Sequence, residues 1–437
     1  MSVTAVVGAQ WGDEGKGRVV DYLAADADLV IRYAGGNNAG HTVVNPQGEF
    51  KLHLIPSGIF YPRTRNLLGN GVVINPPALV AELDDLAEAG IDASNLFISD
   101  RAHVVMPYHV LLDQLEERDR GAGKLGTTSR GIGPAYVDKF ARRGLRIVDL
   151  MDPEHFAARL DPALARVRRM VDGYYRAGGP EDPLADAIAA ATDRDAITAA
   201  YLSAADRLRR HVVDGRVLVD GALAAGDRIL LEGQLGTMRD IDWGIYPYVT
   251  SSSPIPGGAA LGAGIPAVAI DRVLGIVKAY TTAVGAGPMP TELDDASGRK
   301  LQERGLEFGA STGRPRRCGW YDAVAVRYSV LLAGYSSVAL TKVDVLDDFA
   351  SIPICVAYRD PQTGEQLSTV PASEPIYSRL EPVYEELPGW QTDTTHARSF
   401  AGLPPQAQRY VERLEELAGV PISHVSVGPE REQMIVR

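Results

Sequence analysis

The chain is poor in cysteine, in positive charge and in long unbroken apolar runs. Its 437 residues include two cysteines, Cys318 and Cys355. That excludes a disulfide framework, and no Cys/His spacing fits a zinc site. Lys and Arg number 44 against 56 Asp and Glu, a formal net charge of -12. This balance argues against a broad nucleic-acid or anionic-membrane surface. The stretch 243–270 carries no charged residue, but Pro and Gly interrupt it repeatedly. It reads as loop and packed turn, not as a membrane span. The first residues show no basic n-region and no apolar h-region, so the expected compartment is the reducing cytoplasm. No repeat or low-complexity tract is present. A hydrophobic content of 45% is ordinary for a globular protein. The length amounts to about three domains, or one large α/β unit with subdomains.

What the chain does have begins at Gly8. The run Gly8-Ala9-Gln10-Trp11-Gly12-Asp13-Glu14-Gly15-Lys16-Gly17 follows an apolar stretch, Val3 to Val7. A strand, a glycine-rich turn, a lysine and then a helical pattern form a phosphate cradle. The glycines let backbone N–H groups converge on an anion at a helix amino terminus. The spacing departs from the usual G-x-x-x-x-G-K-S/T loop. Gly17 stands where the magnesium-binding hydroxyl would be. Asp13 is the nearest candidate for that duty, since a carboxylate beside phosphate oxygens needs a metal or a proton to handle. The competing reading is a plain glycine-rich strand-to-helix turn.

Strand-like and helix-like runs alternate through the first hundred residues. Strands are predicted at Val3–Val7, Leu29–Tyr33, Asn66–Leu68, Val72–Ile74 and Leu96–Ser99, with helices from Gly17 and over Pro77–Ala89. This alternation predicts a mostly parallel sheet covered on both faces. From Val104 to Val213 the spacing turns helical, with Phe156, Leu160, Leu164, Val167, Val171 and Tyr174 on one stripe. Further helices are expected at Pro183–Ala191 and Ile197–Val212. Strands are expected again at Val217–Val219, Arg228–Leu231, Ser337–Thr341, Ile352–Tyr358 and His424–Val427, with a helix over Gln406–Leu417. The expected division is a central α/β core (1–103 with 211–277), a helical insertion (104–210) and an α+β part (278–437).

Three further motifs carry chemistry. Gly35-Gly36-Asn37-Asn38-Ala39-Gly40-His41-Thr42 follows the second strand, and ligands gather beyond the carboxyl ends of parallel strands. His41 is therefore expected near the phosphates, where imidazole can donate to an oxygen gaining charge. Thr341-Lys342-Val343-Asp344 follows an apolar strand and resembles the guanine-reading N-K-x-D motif. Its carboxylate can accept from guanine N1–H and N2–H₂ together. Gly309 to Arg317 sets Arg314, Arg316 and Arg317 in a glycine-flanked loop with Ser311 and Thr312, as a dianion site requires. Arg142-Arg143 and Gly126 to Gly131 are smaller clusters of the same kind.

Taken together, the segments QWGDEGKG, GGNNAGHT, HLIPSGI, GNGVV, GTTSRGIGPAY, ARRG, YPYVTSS, VGAGPMPTEL, TGRPRR, LTKVDVLD, VAYR, LPGW and SVGPER resemble the adenylosuccinate synthetase family along the whole chain. The resemblance implies a central mostly parallel sheet with a helical insertion and an α+β carboxyl-terminal part. It implies GTP-dependent ligation of IMP and L-aspartate through 6-phosphoryl-IMP, with Mg²⁺ as cofactor. It implies that Asp13 is the base and a magnesium ligand, that His41 is the acid, and that Gly40 gives magnesium a backbone carbonyl. By the same resemblance Gly12, Glu14, Gly15, Lys16, Gly17, Gly40, Thr42, Arg316, Lys342, Asp344, Ser426 and Gly428 serve GTP. Asp13, Asn38, Thr128, Arg142, Gln234, Thr250 and Arg314 serve IMP, with Arg142 reaching across a homodimer interface. Ser311, Thr312, Gly313, Arg314 and Arg316 serve aspartate. No nucleic-acid or membrane partner is implied.

This chain departs from the family pattern at some positions. The usual E-G-A-Q-G is Glu232-Gly233-Gln234-Leu235-Gly236, which sets the glutamine one residue early. On an extended chain such a shift turns a side chain to the other face. Trp243 replaces a usual histidine, and Pro315 stiffens the arginine loop. Two other functions share these motifs: a paralogue ligating aspartate to a modified 6-oxopurine nucleotide, and a GTP-binding regulator without ligase activity.

Overall fold

The computed structural model describes residues 2–38, 40–45, 48–174, 183–309 and 313–437. Ten strands form its main sheet: β1 (Ser2–Gly8), β2 (Leu29–Arg32), β3 (Arg65–Leu68), β4 (Leu96–Ser99), β5 (Val212–Val213), β6 (Arg228–Gly236), β7 (Arg272–Lys278), β8 (Ser337–Thr341), β9 (Ile422–Ser426) and β10 (Met434–Val436). Their order is β10-β9-β8-β7-β1-β6-β2-β3-β4-β5. Every neighbouring pair is parallel except β9 with β10. β1 lies between β6 and β7, and β2 is buried along its whole length. Such near-continuous burial is what a parallel sheet covered on both faces demands.

One large cluster joins the inner strands to helices on the carboxyl-terminal side, including Val326, Tyr410, Val411 and Leu414. A second gathers Leu79 and Leu86, Leu111 and Leu115, and the stripe Phe156, Leu160, Leu164, Val167 and Val171. These belong to α2 (Pro76–Glu88), α3 (Pro107–Arg120) and the long helix Pro153–Tyr174. A smaller sheet lies beyond β8, where Ser351–Arg359 pairs antiparallel with Glu381–Pro388 and parallel with Tyr321–Asp322. Among the described residues no helix is long and apolar enough to cross a membrane.

Three readings are corrected. Val217–Val219 is helical, not a strand, because it sits inside Gly215–Ala225. The Asp214 side chain caps that helix by accepting from Arg216 N and Val217 N, and Gly226 closes it in the left-handed conformation. Capping and packing outweigh the β preference of its valines. The charge-free stretch is not all loop, since it contains the helix Pro256–Ala263. Central strand β7 was missed because Gly275 interrupts its apolar run. A Cβ at Gly275 would meet the Tyr335 ring at 2.7 Å, so packing requires the glycine.

Asp322 caps the helix Ala323–Ala333 through Ala325 N and accepts from Tyr358 O–H at 2.7 Å. Burial pushes its carboxyl up to about 6, against those hydrogen bonds. A raised folded pKa binds the proton tightly, so stability falls as pH rises from about 4 to about 6 and stays lower above. Asn caps as well as Asp. We expect Asp322→Asn to raise the melting temperature at pH 8 by about 2 °C, corresponding to about 1–2 kcal/mol, and to leave it unchanged at pH 4. Thermal melts at the two pH values test this, and an equal shift at both would refute the assignment.

Candidate active site

The phosphate loop is folded around one carboxylate. Glu14 is fully buried, accepts from Gln10 N at 3.1 Å and Gly12 N at 2.8 Å, and holds Lys16 Nζ at 2.5 Å. Gly12, Asp13 and Gly15 all have positive φ. That curls the chain so that Lys16 and Gly17 open α1 (Lys16–Ala24). Gln10 fixes the loop to β7, with Lys278 N donating to its Oε1 at 2.9 Å. Thr341 Oγ1 donates to Glu14 O at 2.6 Å, which ties the end of β8 to the same loop. Gly17 is a glycine for a local reason: a Cβ there would meet His41 Cβ at 2.8 Å.

His41 is thus seated at the amino end of α1, as the loop order predicts. Its Nδ1 lies 2.7 Å from Glu232 Oε1, midway along β6 just before the strand bulges. Glu232 is fully buried and also accepts from Ser57 N and Ser57 Oγ, both at 2.9 Å. Burial opposes its charge, but His41, the Arg32 guanidinium and the Ser57 N–H outweigh burial and hold the carboxyl below its ordinary range. The pair fixes the ring and leaves Nε2 as the nitrogen not engaged by Glu232. Sequence reasoning missed Glu232 as a functional residue. Its signal was an acid just after an apolar run.

Gln234 lies inside the site despite its shifted position. Its Oε1 accepts from Arg32 Nη2 at 2.8 Å and Gly36 N at 3.1 Å, and its Nε2 donates to Asn38 Oδ1 at 2.7 Å. The chain is not extended here, so the expected reversal of the side chain does not hold. Val6 pairs with Glu232 and Gly8 with Gly236, which leaves a bulge on β6 with Leu235 at φ 64°. Thr250 is half-buried and bonds through its N–H to Arg239 O at 2.9 Å. The buried Arg239 guanidinium staples that loop to the next, reaching Tyr248 O at 2.6 Å and Val284 O at 2.8 Å. Thr128 stands in a loop wrapped on α3, where Glu117 accepts from Gly126 N at 2.8 Å and Asp113 from Gly131 N at 2.9 Å.

On the β8 and β9 side, Lys342 takes the left-handed conformation before the turn Val343–Leu346. Burial pushes the Asp344 carboxyl up, with Asp347 adding to the shift. Its Oδ1 is buried without a hydrogen-bond partner among the described residues. A buried acceptor left open is what a donor-bearing base edge would fill. Ser426 is buried at the end of β9 beside Gly428 and accepts from Arg18 Nη1 of α1.

The arginine loop meets the phosphate loop through Arg316, whose Nε lies 2.8 Å from Asp13 Oδ2. Asp13 is about a third exposed, its side chain at 31%. Arg316 Nη1 also pairs with Glu307 Oε2 at 2.6 Å. Glu307 is fully buried and its Oε1 takes Lys278 Nζ at 2.8 Å and Lys342 Nζ at 3.3 Å. Burial opposes its charge, yet these three cations hold the carboxyl well below the usual range. Burial also pushes Lys278 down to about 8, against Glu307. Arg314 Nη2 donates to Gly126 O at 3.1 Å, which joins the Thr128 loop to the arginine loop. Gly313 is exposed at φ 64°. Ser311 and Thr312 lie outside the described residues.

Gly40 precedes the hairpin that begins at His41, and Thr42 is exposed on it. Arg142 stands apart. It follows α4 (Ile132–Phe140) with φ 61° and an exposed side chain. Phe140 is 75% exposed beside it.

Comparison with known proteins identifies the family. Residues 5–435 match the family described as adenylosuccinate synthetase. The chain is 54% identical to the adenylosuccinate synthetase of Heliobacterium modesticaldum over 435 residues, covering 100% of this chain and 99% of that one. It is 51% identical to that of Moorella thermoacetica, with the same coverage. A fully ligated adenylosuccinate synthetase structure from Plasmodium falciparum superposes with a TM-score of 0.92 at 35% identity, covering 100% of both chains. The chain belongs to the adenylosuccinate synthetase family.

Proposed function

We propose that this protein joins IMP to L-aspartate at the expense of GTP, forming adenylosuccinate in AMP synthesis. The observation that carries the reading is His41, packed on Gly17 at the amino end of α1 with its ring fixed by Glu232. That is where transferring phosphate would be gripped. A purine oxo group leaves poorly, so O6 is first phosphorylated. Asp13 takes the N1 proton as O6 attacks the γ-phosphorus, the bond from that phosphorus to the β,γ-bridging oxygen breaks to release GDP, and His41 donates to the oxygen gaining charge. The aspartate amine then attacks C6, and phosphate leaves with the O6 electrons.

Gly12, Glu14, Gly15, Lys16, Gly17, Gly40 and Thr42 form the phosphate side of the GTP site, and Arg316, Lys342, Asp344, Ser426 and Gly428 complete it. Asn38, Thr128, Gln234, Thr250 and Arg314 hold IMP. Ser311, Thr312, Gly313, Arg314 and Arg316 hold the aspartate carboxylates, for which bidentate guanidinium geometry is suited. The division into a central core (1–103 with 211–277), a helical insertion (104–210) and an α+β part (278–437) belongs to the same proposal. One hydrophobic cluster runs from Leu79 and Leu96 of that core into Phe156 and Leu208 of the insertion, so these two parts are packed on each other.

The donor set fits magnesium. The Asp13 carboxylate is partly exposed, and Gly40 offers a backbone carbonyl. No group of three or more His, Cys, Asp or Glu side chains could form a cage among the described residues. Magnesium characteristically takes one or two protein oxygens and completes its shell with phosphate and water. When bound, it spreads the charge developing on the phosphates.

The test is an assay with GTP, magnesium, aspartate and IMP that follows phosphate release and the ultraviolet change at the purine. Adenylosuccinate should form in step with phosphate, and phosphate without a new purine would refute the ligase. In this assay Glu232→Gln should lower kcat by about 10–100-fold with little change in KM for either nucleotide. Asp344→Asn should narrow the preference for GTP over ITP, which lacks the N2 amino group, by about ten-fold or more. An unchanged ratio would count against guanine readout.

We also propose a homodimer in which Arg142 serves the partner's site. Its exposed side chain and the exposed Phe140 and Val137 support this. Random mixing of Arg142→Leu with Asp13→Ala subunits should restore about a quarter of wild-type activity, since half the dimers then hold one intact site. No recovery in verified mixed dimers would refute the shared site.

A further inference from the structure

Glu307 has no substrate in the reading above, yet its two oxygens hold cations from two different substrate positions. Oε1 takes Lys342 at 3.3 Å on the guanine side, and Oε2 takes Arg316 at 2.6 Å on the aspartate side. Arg316 continues to Asp13 at 2.8 Å. The carboxylate is anchored from behind by Lys278 at 2.8 Å and by the Tyr280 hydroxyl, which donates to it. Lys278 is in turn tied to the phosphate loop through Gln10. The backbone is fixed as well, with Arg316 N donating to Glu307 O at 2.8 Å.

We propose that Glu307 is a positioning residue that couples the guanine pocket to the aspartate loop by sharing one buried carboxylate between Lys342 and Arg316. The proposal rests on the functional reading of those two cations. Buried charges are little screened, so a change in one pair is felt by the other. A substrate carboxylate that draws Arg316 away leaves Glu307 to the two lysines and pulls Lys342 inward. Lys342 also donates to Gly305 O, but its side chain is 32% exposed against 1% for Lys278, so it is the lysine with room to move. Aspartate therefore tightens GTP binding, and by linkage GTP tightens aspartate binding by the same factor.

The test measures binding of a β,γ-imido analogue of GTP to the whole protein by calorimetry. Magnesium and IMP are present throughout, and aspartate is either absent or saturating. In the wild type, aspartate should tighten the analogue by about five-fold or more. In Glu307→Gln the factor should fall to near one. That variant leaves three cations short of a partner and can lose the fold, so Lys342→Gln supplies a second reading. It removes one arm from the exposed side and keeps the buried pairs of Glu307 with Lys278 and Arg316. Loss of the factor in a folded variant supports the coupling. A factor within two-fold of wild type in either folded variant overturns it, as does a wild-type factor of one. Because the readout is binding, it stands apart from whether turnover yields adenylosuccinate.

Discussion

A carboxylate taken out of water stays charged only where cations and N–H donors surround it, and the site is organised by that constraint. Glu14, Glu232 and Glu307 are each fully buried. Glu14 curls the phosphate loop by accepting from Gln10 and Gly12 while holding Lys16. Glu232 sets the His41 ring against α1. Glu307 gathers Lys278, Arg316 and Lys342. Such pairs add little net stability against a well-packed apolar alternative, but removing one partner costs about 3–5 kcal/mol. Their consequence is geometric: each fixes the direction of a group proposed to meet substrate.

The parallel sheet makes this possible by delivering everything to one edge. Gly8, Arg32, Gly236, Lys278, Thr341 and Ser426 end six strands that are consecutive in the sheet. The catalytic loops need no long excursions, because each begins where its strand stops. The bulge on β6 adds two residues opposite β1 and changes the direction of Gln234, which reaches Arg32, Gly36 and Asn38 together. A side chain that strict alternation would send away is thereby kept in the site.

This division between local and distant causes explains what the sequence could tell. The phosphate loop, the GGNNAGHT turn and TKVD are contiguous, and their glycines and polar residues announce them. Strand and helix alternation likewise gave the parallel sheet. Glu307 announces nothing, and Glu232 only its place after an apolar run, because their meaning lies in Ser57, His41, Lys278 and Lys342, which are distant in the chain. Gly275 concealed strand β7 for the same reason, as only the Tyr335 ring explains it. Val217 to Val219 misled because a cap at Asp214 and a closing glycine at 226 outweighed three residues of β preference.

The same charges explain how a site for highly charged substrates can exist before those substrates arrive. Lys16 rests on Glu14, Lys342 and Arg316 on Glu307, and Arg316 also on Asp13. Lys16 and Arg316 are already largely out of bulk water before a phosphate or carboxylate comes in. An incoming anion changes the balance of an existing pair, which costs less than desolvating a free charge. The arrangement also orders events. Asp13 shares Arg316 with Glu307, so an anion that draws the arginine away would leave the Asp13 carboxylate open for the base and metal-ligand roles proposed for it. Charge complementarity among these side chains thus holds each in place, and only an anion of matching charge and geometry can take its partner's position.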